Sequence, residues 1–181
     1  MNKRLIILYI FHLLSLQVIN AQTIQSKTRE VRVLDHKSID SILDIREDHL
    51  IFFWGTWCHP CYESLDTIMK MDLKVKKMKT LILAESNSSM KTLEKVFRKY
   101  RLSIADNIVF GLLDPKDYKK SHRKNIQIFN RFICKACVEE SKNDMRFSAV
   151  FIFDKNKKLL YYNKVLLPDE YNLIREVINS L

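Results

Sequence analysis

The chain has 181 residues, 47% of them apolar, 29% charged and 10% aromatic, with a formal net charge of +10. That length and apolar content suit one packed domain and exclude a chain too polar to fold. The basic charge is scattered, its densest run (Lys74, Lys76, Lys77, Lys79) lies at a helix end before a strand, and no nucleic-acid module is present, so no nucleic-acid partner is expected. In chain order, Lys3 and Arg4 precede an almost uninterrupted apolar stretch from Leu5 to Val18, and Ile19-Asn20-Ala21 then offers a small residue before Gln22. This is the layout of a secretory signal peptide, predicted over 1–21 with cleavage near Ala21. A retained anchor fits less well, because the run is short for a span, contains His12 and lacks a stop-transfer flank. No cysteine lies near the cleavage point, which argues against a lipoprotein. The mature chain, 22–181, keeps 181 − 21 = 160 residues and a charge of +10 − 2 = +8. Export across the inner membrane to the periplasm would place it where disulfides form.

Val31-Arg32-Val33-Leu34 reads as a short strand, and Ile39, Ile42, Leu43 and Ile45 as the apolar side of a helix. Leu50-Ile51-Phe52-Phe53-Trp54 is a run of the kind that a strand buried on both faces requires. It breaks at Gly55, a residue that tolerates an unusual backbone turn. Two cysteines follow at C-x-x-C spacing, Cys58 and Cys61, with Pro60 between them and a helical apolar stripe beyond (Leu65, Ile68, Met69, Leu73). Pro60 suits a first helical turn, whose N–H groups are unpaired in any case. Thr80 to Ala84 is a second buried strand. Ser88-Ser89 then caps a helix carrying Leu93, Val96, Phe97 and Tyr100. Ile108 to Leu113 is another strand, stopped by Asp114-Pro115. Two β-rich runs, Phe147–Phe153 and Leu159–Val165, flank the polar turn at Asp154–Lys158 and predict a hairpin. A helix from Pro168 to Leu181 closes the chain. No internal repeat or linker marks a second domain.

The unit strand, turn, C-x-x-C, helix is a recipe for a reactive dithiol. Residues three apart in a first helical turn share a face, which brings the sulfurs within disulfide range. The first cysteine sits where unpaired N–H groups and the positive dipole end favour a thiolate, the form that attacks disulfides. Cys58 is therefore the expected nucleophile and Cys61 the resolving thiol. The run Phe53-Trp54-Gly55-Thr56-Trp57-Cys58-His59-Pro60-Cys61 resembles the FWxxWCxPC signature of thioredoxin-like proteins, in particular the secreted TlpA/ResA-type thiol–disulfide oxidoreductases. The resemblance implies an α/β, thioredoxin-like fold: a central mixed β-sheet flanked by helices, with the order β-α-β-α-β-β-α and a helical insertion (114–146) before the late β-hairpin. It also implies disulfide-bearing protein substrates, no cofactor and no metal. Such proteins are usually reductants in an oxidising compartment, for example in cytochrome c maturation, and a reductant needs a membrane electron donor. A disulfide-forming oxidase or isomerase of the same fold is the alternative, as is a non-catalytic metal- or partner-binding module using the four cysteines. A peroxidase of this fold is disfavoured, because Gly55 stands where a Thr or Ser would precede a lone peroxidatic cysteine.

Two departures from the family pattern bear on function. Aligning on Phe151-Ile152-Phe153-Asp154 puts Ser148 where such proteins place a cis-proline facing the C-x-x-C. A non-proline cis bond costs about 2.5–4 kcal/mol, so a relaxed trans loop with altered partner binding is expected over a gap opened for a metal or an unusual substrate. The insertion carries a second pair, Cys134-Lys135-Ala136-Cys137, and three readings of it stay open. It is a local staple or buried pair, a second redox dithiol, or part of a zinc site with a pair 134 − 61 = 73 positions away.

The surroundings of Cys58 are less defined. Related proteins bury a carboxylate on the strand before the motif, where this chain has Phe52. The secreted branch instead carries a glutamate three residues past the motif, where Ser64 stands. Glu63 is off by one and reads as a first-turn charge or a weak proton-transfer candidate. His59, if protonated, stabilises a Cys58 thiolate and makes the disulfide more oxidising; otherwise it is an exposed variable position. Trp57 is expected to border and shield the sulfurs, and Trp54 to be core. His36, His49 and His122 show no ligand spacing and read as surface residues, and Tyr161-Tyr162 suggests no site.

Overall fold

A computed structural model describes residues 30–43, 46–71, 78–100, 107–118, 122–133, 148–163 and 170–181. The chain divides into two units, 1–30 and Val31–Leu181, and the first, with its expected signal peptide, lies outside the described residues except for Glu30. Six strands form one sheet: β1 (Arg32–Leu34), β2 (His49–Trp54), β3 (Lys79–Ala84), β4 (Ile108–Leu113), β5 (Ala149–Phe153) and β6 (Leu159–Asn163). The described helices are α1 (His36–Leu43), α2 (His59–Lys70), α3 (Met90–Tyr100), α4 (His122–Ile133) and α5 (Glu170–Ser180). Sheet order is β1-β4-β3-β2-β5-β6. The first four strands in that order run parallel, β5 is antiparallel to β2, and β6 is antiparallel to β5. This is the expected α/β architecture, a central mixed sheet flanked by helices, with one correction to the expected order. The chain runs β-α-β-α-β-α-β-α-β-β-α, so two further βα units precede the hairpin, and β4 lies between β1 and β3.

Both faces of the sheet are covered, which explains why every residue of β2 is buried. Alternate side chains take opposite faces of a strand. Phe52 and Trp54 join a cluster with Leu65 and Ile68 of α2, Leu93 and Phe97 of α3, and Ile174 and Ile178 of α5. Ile51 and Phe53 join the other cluster, with Ile39 of α1 and Phe129 of α4. The helices begin where short polar side chains replace missing backbone partners. Asp35 Oδ1 accepts the Ser38 N–H at 2.8 Å at the start of α1, and Ser89 Oγ accepts the Thr92 N–H at 3.3 Å before α3, the cap expected there. In the hairpin turn Asp154 Oδ1 accepts the N–H groups of Asn156 and Lys158 (2.9 and 2.8 Å), which accommodates Lys157 at φ 61°. Among the described residues no helix is long and apolar enough to cross a membrane.

The histidine expectation needs correcting. His49 opens β2 and is only 1% exposed, with Nε2 at 3.3 Å from the Ile42 carbonyl. His36 is partly buried between Tyr118 and Phe132. The side chain of His122 is not among those described. Desolvation pushes the His49 imidazole below its ordinary value of 6.5, because burial disfavours the charged ring. The unfolded chain therefore takes up this proton more readily than the folded one. The stability at stake is present above the unfolded pKa and is lost as pH falls through it toward the folded value. Thermal unfolding from about pH 7 to about pH 5 is expected to show Tm falling more steeply for wild type than for His49→Leu. Parallel curves would mean that His49 is not the titrating group.

Candidate active site

Parallel strands β2 and β3 end side by side, with Trp54 opposite Ala84, and the loops leaving them are laced together. The Glu85 N–H donates to the Trp54 carbonyl at 2.8 Å. The Thr56 N–H donates to Ser88 Oγ at 3.1 Å, and the Ser89 N–H returns to Thr56 Oγ1 at 3.2 Å. From the far side, Tyr62 of α2 donates its hydroxyl to the Thr56 carbonyl at 2.8 Å, while its ring meets Trp54 edge-on at 5.3 Å. The turn between β2 and α2 is thus tied to the next strand's loop and to its own helix.

The reason for Gly55 differs from the expected one. No glycine among the described residues has positive φ, so backbone freedom is not what the site requires. A Cβ at position 55 would stand 2.6 Å from Cε2 of Trp57, whose indole lies directly over the glycine. Space is the constraint.

Cys58 follows as the N-cap of the 12-residue helix α2, in extended conformation and with its N–H given to the Gly55 carbonyl at 3.0 Å. The Cys61 N–H donates to the Cys58 carbonyl at 3.1 Å, and the two sulfurs form a disulfide with Cα atoms 5.3 Å apart. Cys58 is 6% exposed and Cys61 1%, both within the apolar cluster of Trp54, Leu65 and Ala84. Burial and a helix N-terminus pull in opposite directions on a thiol, since a low dielectric resists the thiolate while the dipole and free N–H groups favour it. Pro60 lies in the first turn of α2, and both it and His59 are exposed. Trp57 is 46% exposed and forms surface beside the sulfurs' turn. Glu63 is exposed on α2. Ser64 is buried and accepts a hydrogen bond from the Tyr171 hydroxyl of α5 at 3.3 Å.

Ser148 is buried just before Ala149, which pairs with Phe53, so β5 delivers it to the end of the sheet where β2 leads to Cys58. The fold therefore brings Cys58, Cys61, Trp57, His59, Pro60 and Ser148 to one end of the sheet. Phe147 lies outside the described residues, as do Cys134 and Cys137. α4 falls within the expected insertion and is helical as anticipated. Among the described residues no group of three or more His, Cys, Asp or Glu is placed to hold a metal ion.

One acidic residue escaped the sequence reading. Glu85, directly after β3, is fully buried. Burying a carboxyl group is costly unless its oxygens find donors. Oε1 accepts from Asn87 and from Asn125 of α4, each at 3.1 Å. The available signal was its position: a lone acid continuing an apolar strand whose neighbour leads into the C-x-x-C.

No protein-family model and no curated protein matches the chain. Solved structures similar to it include a secreted disulfide oxidoreductase of Mycobacterium tuberculosis, homologous to E. coli DsbE, at 12% identity and TM-score 0.48, over 75% of this chain and 83% of that one. An exposed lipoprotein thioredoxin of Streptococcus pneumoniae is 15% identical at TM-score 0.46, over 77% and 90% of the two chains. A thioredoxin-like protein of Aeropyrum pernix is 13% identical at TM-score 0.48, over 75% and 78%.

Proposed function

We propose that this protein is an extracytoplasmic thiol–disulfide oxidoreductase of the TlpA/ResA type, acting as a reductant of protein disulfides. The observation that carries the reading is the Cys58–Cys61 disulfide at the start of α2, on a turn held by β2, β3 and Tyr62. In the reduced protein the Cys58 thiolate attacks one sulfur of a substrate disulfide. That S–S bond breaks, a mixed disulfide forms, and the departing substrate thiolate takes a proton. Cys61, once deprotonated, attacks the Cys58 sulfur and releases the second substrate thiol. Two electrons have then passed to the substrate, and the protein is left in the oxidised form. A membrane-borne dithiol donor returns it to the reduced state. Residues 1–21 direct export and are cleaved near Ala21, leaving 22–181 as the working domain in the periplasm.

The deciding measurement is the equilibrium reduction potential of Cys58/Cys61, in the mature protein and in a Cys134→Ala/Cys137→Ala variant. A value near that of thioredoxin, roughly −270 mV, is expected of a reductant. A value near roughly −120 mV would make the protein a disulfide-forming oxidase, with the exposed His59 as the first residue to replace. A shift in the variant would place the second pair in the relay, whereas a change in stability alone would make it a staple.

A further inference from the structure

On the sheet face opposite the disulfide, a cavity of about 410 Å³ opens between the start of α1 and one side of α4. Small-molecule sites occupy roughly 300–1,000 Å³ and combine apolar walls with a few placed polar groups. The wall here is a stacked pair, His36 and Phe132, with ring centroids 4.2 Å apart and planes inclined at 22°, continued by Ile128. Neither ring nitrogen of His36 is left to swing freely. Nε2 lies 2.7 Å from the hydroxyl of buried Tyr118, and Nδ1 lies 3.9 Å from Asp117 Oδ2, which also accepts the His36 N–H at 2.9 Å. Tyr118 keeps its proton, since burial pushes its phenol far above the usual range. The imidazole is thereby fixed as a flat surface, ordered before any ligand arrives.

The rim is cationic. Lys124, Gln127 and Arg131 line the cavity three and four residues apart, on one side of α4. Lys124 and Arg131 are exposed and form no ion pair with any described residue. Asp117 is engaged with His36. We propose that this cavity binds a small planar aromatic carboxylate, its ring laid against His36 and Phe132 and its carboxylate held by Lys124 and Arg131. The guanidinium offers a fork that matches a carboxylate, and a flat ring fits a flat wall better than a saturated one.

The test is an NMR titration of the isotope-labelled full chain with 2-naphthoate, and with 2-naphthamide as the uncharged match. The expected result is saturable shifts centred on α4 and the first turn of α1, with the acid binding at least about tenfold more tightly than the amide. Lys124→Ala/Arg131→Ala, changed at exposed positions, is expected to remove that preference while leaving disulfide exchange intact. Cyclohexanecarboxylate is expected to bind more weakly than 2-naphthoate, which reads the stack without altering the protein. No saturable shifts at millimolar 2-naphthoate, equal affinity for acid and amide, or undiminished preference in the double variant would each overturn the assignment.

Discussion

Replacing Cys58 with serine is expected to reduce disulfide-exchange activity by on the order of 10³-fold or more, to the uncatalysed background. The loss follows from chemistry rather than folding. Only a thiolate opens a disulfide at neutral pH, and a serine hydroxyl in the same N-cap position is neither ionised nor able to accept the exchanging sulfur. Cys61→Ser is expected to behave differently. Cys58 still attacks, but nothing resolves the product, so a covalent complex with a disulfide-bearing protein substrate accumulates and is released by added thiol. Non-reducing electrophoresis distinguishes the two variants directly. Full activity in Cys58→Ser, or trapping by that variant instead of Cys61→Ser, would reverse the roles assigned to the cysteines.

Truncating Phe129 to alanine is expected to cost about 3–5 kcal/mol and to lower Tm by roughly 10 °C or more. Its ring is fully buried, stacks on Phe53 at 4.5 Å between centroids and meets Phe151 at 6.0 Å, so the deletion leaves a cavity between α4 and the middle of the sheet. The consequence extends beyond lost contacts. Asn125, one turn earlier on α4, holds Glu85 Oε1, and a loosened helix leaves that buried carboxyl group short of a donor. Thermal unfolding followed by circular dichroism measures the cost. A fall of only a degree or two would mean that α4 does not seal this face. Below the transition, exchange through Cys58 and Cys61 is expected to persist, because both cysteines lie in the cluster on the opposite face.

The local architecture of this protein was determined by the sequence alone. The apolar run Leu50–Trp54, the C-x-x-C with Pro60, the stripe Leu93-Val96-Phe97-Tyr100, the Ser89 cap and the hairpin turn at Asp154 each depend on residues within a few positions of one another. Hydrophobic period and capping chemistry act over that range, which is why they were legible before any contact was known. What required the tertiary structure is what depends on distant partners. β4 lies between β1 and β3 because strand neighbours are chosen by sheet assembly, not by chain order. Glu85 drew no notice in the sequence, because its burial and one of its two donors, Asn125, come from an element 40 residues away. His49 looks like a polar strand end until the sheet and the Ile42 carbonyl enclose it. Gly55 reads as a residue chosen for an unusual backbone turn, yet its constraint is the Trp57 ring folded over it. The dithiol was written in neighbouring residues. The polar groups buried around it, and the cationic cavity behind it, were decided by which elements the sheet placed side by side.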